Sequence, residues 1–280
     1  MNKIAVVVDS TAVINAELLE SNTNLYSIPL HLIIDEESYK DGLDITPSEF
    51  CTKMNQASHL PTTSQPPVGD VFNLFEELLK KYEYIIYITI SSKLSGTFQT
   101  GLLVKNQLSN NRIIVFDSTF TSTIQKQMAL KTLELIKMGR SIETIIENLE
   151  YIKENSKIYL VVDDLGHLHR TGRISLYTSS FGKLMNIKPL LCFDQGEIII
   201  KNKVRTMNKV YNNLIDLIRN EKLSSNSRII IAHANGYDFA TKLKEKVLEI
   251  YPEHKIDIEE LSPVISVHTG EKSFGISWIR

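Results

Sequence analysis

The stretch Tyr84-Ile-Ile-Tyr-Ile-Thr-Ile-Ser-Ser-Lys-Leu-Ser-Gly-Thr-Phe-Gln-Thr-Gly101 decides how the rest of the chain is read. Ile85 to Ile90 is an apolar, largely β-branched run and reads as a strand buried on both faces, as in a parallel sheet. Ser91, Ser92, Ser95, Gly96 and Thr97 follow, and Thr97–Gln107 reads as a helix. A strand, a hydroxyl-rich turn and a helix start gather backbone N–H groups and Ser/Thr donors at the carboxyl end of a sheet. Open α/β folds bind ligands there, and a helix N-terminus favours an anion such as a carboxylate or phosphate. The alternative is an ordinary N-cap in which Ser95 or Thr97 satisfies the helix and binds nothing.

Composition sets the outer limits. The chain has 280 residues, 42% hydrophobic and 23% charged, with a net charge of −2. Such a length accommodates two domains and a core of ordinary size. The charge lacks the basic excess of a nucleic-acid binder. No apolar run is long enough to cross a bilayer, so stable membrane insertion is not expected. The start, Met-Asn-Lys-Ile, has no secretory pattern. Cys51 and Cys192 lie far apart without metal-ligand spacing, which suits reduced thiols and a cytoplasmic location.

Strands and helices alternate through the first half. Ile4–Val8 is an apolar run ending in Asp9-Ser10-Thr11, where Asp9 reads as a loop-ordering carboxylate. Tyr26–Ile34 is a strand, Asp35–Tyr39 a turn, and Thr46-Pro47-Ser48-Glu49 starts a helix that runs to about residue 56 with a capping box. Leu60-Pro61-Thr62-Thr63-Ser64-Gln65-Pro66-Pro67 is stiff and extended, a rigid connector or part of a site. Helices are expected over 68–82, 120–138 and 141–154, and a strand over 112–116. This alternation predicts a mostly parallel sheet with helices on both faces, over residues 1–155.

Residues 156–280 differ and predict a mixed α/β domain. Lys157–Val162 is a strand, and Asp163–Ser175 reads as a solvated polar turn. Its Asp163, Asp164, His167 and His169 raise a metal site, but no further ligand stands at a familiar spacing. A hairpin spans 190–204 with Asp194-Gln195-Gly196-Glu197 at its turn. Helices over 206–220 and 237–251 alternate with strands over 228–232, 255–259 and 274–279. His268 reads as a residue at a strand-to-loop exit.

Five motifs occur in order: Val-Asp-Ser-Thr-Ala (8–12), Thr-Ser-Gln-Pro (63–66), Ser-Ser-Lys-Leu-Ser-Gly-Thr (91–97), Gly-Arg-Ile-Ser (172–175) and Val-His-Thr-Gly (267–270). Along its whole length the chain resembles the DegV family, bacterial fatty-acid-binding proteins that serve as the lipid-carrying subunits of fatty acid kinase. The resemblance implies two α/β domains with one long-chain fatty acid between them and no cofactor. It places the carboxylate at Thr63, Ser95 and His268, with Thr269 nearby and Ser64, Gly96, Thr97 and Gly270 in support. It further implies an ATP-dependent kinase as partner, with Arg173 close to the carboxylate end and to the kinase-facing surface and Arg205 on that surface, and an acyl phosphate that feeds phospholipid synthesis. Two departures stand out: Thr171-Gly172-Arg173 replaces the usual Gly-Gly-Arg, and Glu271-Lys272 follows His268-Thr269-Gly270 where Pro-Gly is usual.

Two other functions use the same residues. One is an esterase or thioesterase with Ser95 as nucleophile, His268 as base and Asp9 as orienter, although the Gly-x-Ser-x-Gly elbow is absent. The other is a small-molecule sensor that binds a sugar phosphate at the same anion site.

Overall fold

The computed structural model describes residues 3–162, 165–174 and 187–280. The chain opens with β1 (Ile4–Asp9), a 3-10 turn at Ser10–Ala12, α1 (Ala16–Ser21) and β2 (Leu25–Ile28). Next come β3 (His31–Ile34), β4 (Glu37–Lys40), α2 (Pro47–Gln56) and β5 (Thr62–Ser64). Then follow α3 (Val68–Leu79), β6 (Tyr84–Thr89), α4 (Thr97–Gln107), β7 (Ile113–Asp117), α5 (Ser122–Lys137) and α6 (Ile142–Asn155). The second half contributes β8 (Ser156–Val161), α7 (Leu165–Arg170), β9 (Lys188–Asp194), β10 (Glu197–Val204), α8 (Met207–Asn220) and β11 (Arg228–Ala234). It ends with α9 (Tyr237–Leu248), β12 (Ile256–Glu260), α10 (Pro263–Thr269) and β13 (Ser273–Ile279).

Four strands form a parallel sheet in the order β2-β1-β6-β7. Side chains alternate across it as a strand's period of two requires. Ala5, Val7, Ile85 and Tyr87 turn to one face and pack with Phe75 of α3 and Val104 of α4. Val6, Val8, Ile86 and Ile88 turn to the other, against Ile124 and Met128 of α5. Burial on both faces is why β1 and β6 read as unbroken apolar runs.

Six strands form a mixed sheet in the order β10-β9-β8-β13-β11-β12, in which only β11 and β12 run parallel. Its outer face carries Tyr159, Ile231, Phe274 and Trp278 under Leu214 of α8 and Leu243 of α9. Its inner face carries Ile158, Leu160, Leu191 and Phe193, which join the same apolar cluster as α5. The rings of Phe120 and Phe193 meet at 5.7 Å across that junction. The architecture is the expected α/β one: a parallel sheet covered on both faces, followed by a mixed α/β unit.

Local readings differ in four places. Tyr26–Ile34 is two strands, because Pro29 supplies no N–H for a ladder. Leu25–Ile28 joins the parallel sheet, and His31–Ile34 pairs with β4 and β5 in a separate three-stranded sheet. The expected turn at 35–39 is tighter, with Asp35 and Glu36 at φ 45° and 72°, so pairing resumes at Glu37. The polar turn expected from Asp163 contains α7, while Asp163, Asp164 and Ser175 lie outside the described residues. His268 sits in the last turn of α10 and not at a strand exit. Ser262 caps that helix by accepting from the Ile265 N–H at 3.4 Å, and Pro263 occupies its first turn.

Asp9 lies at the carboxyl edge of the parallel sheet and is fully buried. Its Oδ2 accepts from the Ile90 N–H at 2.6 Å and from Gln125 Nε2 at 3.0 Å, and its Oδ1 from the Thr11 N–H at 3.1 Å. It therefore joins β1, the end of β6 and α5. Asp9→Ala would strand these donors, so a loss of about 3 kcal/mol is expected in urea unfolding. A midpoint unchanged from the wild type would show that the donors find other partners.

Candidate functional site

A cavity of about 240 Å³ lies between the inner face of the mixed sheet and the carboxyl edge of the parallel sheet. Its floor follows from strand register. Ile158, Ser277 and Ile230 stand side by side in one row, Leu160, Gly275 and Ala232 in the next, and Ser273 beside Ala234 in the third. Ser273, Gly275 and Ser277 share one face of β13 while Phe274, Ile276 and Trp278 fill the core behind it. Gly275 admits no side chain, since a Cβ there would lie 2.6 Å from the Tyr159 carbonyl oxygen. Small residues thus leave room where the flanking strands supply isoleucine and leucine.

One end of this cavity is polar. Thr63 reaches it on β5, held by antiparallel pairing opposite Leu32 of β3. His268 reaches it on α10, whose Val264 and Val267 pack with Leu32 and Phe50. Thr63 Oγ1 and His268 Nε2 lie 2.8 Å apart, although 205 positions separate them in sequence. Ser95 and Gly96 line the same end at the start of α4, whose Gly96 N-cap supplies no side-chain oxygen. The Gln65 amide lies close over Gly96: a Cβ there would fall 1.9 Å from Gln65 Oε1 and displace that side chain. Gln65 also donates through Nε2 to Thr100 Oγ1 at 3.0 Å, fixing the Thr63–Gln65 segment against α4. The extended Pro-bracketed stretch is therefore a wall of the cavity.

The imidazole of His268 is neutral. Burial, then the electrostatic influence of Arg173 and His167, push its pKa down to about 3. A neutral ring has one N–H. If Nε2 carries it, the ring donates to Thr63 and the threonine hydroxyl is left to donate elsewhere. If Nδ1 carries it, Thr63 donates to the ring and Nδ1, buried with no partner among the described residues, remains a donor. In both tautomers the pair retains one donor.

The other expected residues fall out as follows. Ser64 and Thr269 line the cavity, but the Thr269 hydroxyl donates to the Ile265 carbonyl at 3.2 Å and accepts from Ser273 at 2.9 Å. Thr97 is buried behind Ser95, their hydroxyls 2.8 Å apart, and Gly270 ends α10 at φ 76°. Arg173, expected close to the carboxylate end and the partner-facing surface, lines the cavity and donates from Nε to the Leu94 carbonyl at 3.2 Å. Burial lowers its pKa, and it supplies a full positive charge near His268. Arg205 is exposed, just before α8. Gln65, Thr121 and Thr123 also line the cavity without having been singled out. Gln65 belongs to the Thr-Ser-Gln-Pro motif, whereas Thr121 and Thr123 have only their place after a strand to mark them.

The Ser–His–Asp relay of a hydrolase is not assembled. Ser95 pairs with Thr97, His268 pairs with Thr63, and Asp9 binds Thr11, Ile90 and Gln125. His167 Nδ1 lies 3.3 Å from the Val267 carbonyl, and the described residues contain no cluster of three metal-ligating side chains.

Residues 3–280 match the model of the DegV family. The chain belongs to that family. Protein DegV of Bacillus subtilis is 37% identical over 278 residues, covering 98% of each chain. A DegV domain-containing protein of Halalkalibacterium halodurans is 35% identical, covering 99% of each. Among solved structures, the fatty acid binding protein DegV from B. subtilis superposes with a TM-score of 0.89 at 36% identity, covering 100% of this chain and 99% of its own. A fatty acid binding DegV family protein from Thermus thermophilus gives 0.92 at 28% identity, covering 99% of both. One from Streptococcus agalactiae gives 0.93 at 26%, covering 100% and 99%. No helix among the described residues is long and apolar enough to cross a membrane.

In this DegV chain the depressed pKa of His268 sets a pH dependence. The unfolded histidine takes up a proton near its ordinary 6.5, whereas the folded one resists until about 3. Stability is therefore full above about pH 6.5 and falls as the pH drops towards 3. Asp41 works in the opposite sense. Burial, against hydrogen bonds from Ser10, Val264 and Ser262, raises its pKa to about 6, so its acid form gains stability below that pH. Comparison with His268→Gln isolates the histidine. Between neutral and mildly acid pH the wild type should lose on the order of 2 kcal/mol more than the variant. Parallel pH profiles would show that His268 is already charged in the fold.

Proposed function

We propose that this protein binds one long-chain fatty acid in the cavity and presents its carboxylate to an ATP-dependent kinase, which forms an acyl phosphate for phospholipid synthesis. The reading rests above all on the cavity's two-part lining: a long apolar floor and a polar end where Thr63, Ser95 and His268 converge. The relatives described as fatty acid binding support the ligand class.

Each part of the lining has its own task. A buried methylene contributes roughly 0.8 kcal/mol, so a tail of about fifteen gains on the order of 12 kcal/mol before ordering costs. The tail dominates affinity, and the polar end sets orientation. The Thr63–His268 pair gives one neutral donor and the Ser95 hydroxyl a second, at the start of α4, where Ser95 Oγ accepts from the Thr97 N–H. Arg173 adds charge attraction from the cavity wall, with its Nε already donating to the Leu94 carbonyl and its Nη1 to the Thr171 carbonyl. Neutral donors hold the carboxylate without quenching its nucleophilicity, and an oxygen that keeps its charge can attack the γ-phosphoryl group of ATP on the partner.

Protein purified from a bacterial host should yield about one equivalent of long-chain fatty acid on organic extraction and mass spectrometry. Recovery of a phosphorylated sugar with no lipid would replace this reading with that of a sensor.

Docking to the kinase is separable from lipid binding. Arg205 is exposed, so Arg205→Ala should keep its bound lipid and slow acyl-phosphate formation by the kinase several-fold. A rate equal to the wild type at every ionic strength would remove Arg205 from the docking surface.

A further inference from the structure

The Thr63–His268 pair joins two separately built bodies. Thr63 stands on the three-stranded sheet of the first half, and His268 on α10 of the second. Their 2.8 Å contact therefore depends on how those bodies are aligned. The surface between them is apolar, with Leu32, Ile45 and Phe50 against Val264 and Val267. Apolar burial is non-directional, so it holds the bodies together without fixing their register. Polar contacts at the two ends of α10 can fix it. At its start, Asp41 accepts from the Val264 N–H at 3.3 Å. Just past its end, Glu271 Oε1 accepts from Asn55 Nδ2 at 3.2 Å.

The Glu271 contact is firm on both sides. On its own side the chain turns through Gly270 at φ 76° and Lys272 at φ 60°. The Lys272 N–H donates to the Ala234 carbonyl at 2.7 Å, and the Ser273 hydroxyl to the Gly270 carbonyl at 2.9 Å. This short turn is thereby tied to β11, and the Glu271 side chain leaves it from a fixed base. On the other side, Cys51 and Asn55 lie four residues apart and share a face of α2. The Cys51 thiol meets the same carboxylate: burial, then the charge of Glu271 and a hydrogen bond to it, raise its pKa to about 11. Phe50 of that helix packs in one cluster with Leu32, the residue paired with Thr63. Glu271 thus touches α2, α2 packs on β3, and β3 pairs with the strand that carries Thr63.

We infer that Glu271 is a positioning residue of the carboxylate site, setting the register in which His268 meets Thr63. The role rests on the fatty-acid reading and deepens it at that same site. Glu271 is not among the residues that line the cavity. It fixes α10 against α2, so that the Thr63–His268 donor stays aimed at the carboxylate. Loss of the contact weakens recognition of the headgroup and spares the apolar floor that holds the tail.

The test measures dissociation constants of myristic acid and 1-tetradecanol on delipidated full-length protein. The two compounds share a tail, so the ratio of their affinities reads the headgroup contact. Glu271→Ala should lower the wild-type preference for the acid about fivefold, and Asn55→Ala by a similar factor. The double variant should lose no more than either single one, as two partners in one contact require. Glu271→Gln should keep the preference, since its amide oxygen still accepts from Asn55. Glu271→Cys places a thiol opposite Cys51, while Cys192 is buried with Leu214 of α8. Reduced, that variant should resemble Glu271→Ala; the disulfide formed on oxidation should restore the preference. A folded Glu271→Ala with the wild-type ratio would overturn the inference alone, as would equal weakening of acid and alcohol. So would a stronger preference for the acid in both Glu271→Ala and Glu271→Gln, which would mean that the Glu271 charge repels the ligand. A disulfide that does not form, or that leaves the ratio at its reduced value, also counts against it. Should Glu271→Ala not fold, Asn55→Ala reads the same contact from α2. Failure of the wild type to bind either compound would instead overturn the fatty-acid reading, and this inference with it.

Discussion

A carboxylate with no exposure to solvent, Asp9, ties β1, the residue after β6 and α5 together at one edge of the parallel sheet. Burial raises its pKa, and the four hydrogen bonds from Thr11, Ile90 and Gln125 oppose that rise. Removing any one donor leaves the carboxylate partly uncompensated, so the bonds hold each other in place. The consequence extends past the sheet. Ile90 leads directly into the Ser91–Ser95 turn, and Gln125 lies in the first turn of α5, so both walls that flank the cavity from the parallel-sheet side start from this point. Ser91 then reaches across to the β9–β10 hairpin by donating to the Gly196 carbonyl at 2.7 Å. A local knot of polar groups thereby sets where the two sheets face each other.

The polar end of the cavity depends on a different kind of long-range link. The helix α10 comes late in the chain, yet its apolar side packs with β3 and α2 from the first half. Asp41 strengthens that attachment by accepting from the Val264 N–H at 3.3 Å, at the start of the helix. His268 reaches Thr63 because this helix crosses over. Glu271, which follows, accepts from Asn55 of α2 at 3.2 Å and so extends the same seam beyond the end of the helix.

What could be read from sequence follows from the range of the forces involved. The parallel sheet was legible because burial on both faces leaves an apolar run, as in Ile85–Ile90, and the capping box at Thr46–Glu49 is written in four consecutive residues. The break at Pro29 and the two-residue turn at Asp35-Glu36 needed a narrower reading of backbone chemistry. The helical state of His268 could have been seen from Ser262-Pro263, a cap followed by proline, but Val264–Val267 is apolar at nearly every position and shows neither period clearly. The association of Thr63, Ser95 and His268 was drawn from the family resemblance, since nothing local joins them. Arg173 was expected near the carboxylate end from the resemblance alone; its half-buried place at the cavity is set by the turn after α7, where the backbone N–H groups of Arg173 and Ile174 bond back to the Leu168 carbonyl.

The small-residue face of β13 has a consequence for the life of the protein in a cell. Ser273, Gly275 and Ser277 give up side-chain volume in the middle of a sheet, so part of the packing between the two halves is delegated to whatever occupies the cavity. A ligand that binds only the folded chain adds about 2.7 kcal/mol when its free concentration is a hundred times its dissociation constant. Increments of that size change how often a chain opens to proteases, and hence its steady-state abundance. The amount of this protein in a cell would then rise and fall with the supply of its ligand, through turnover alone and with no change in its synthesis.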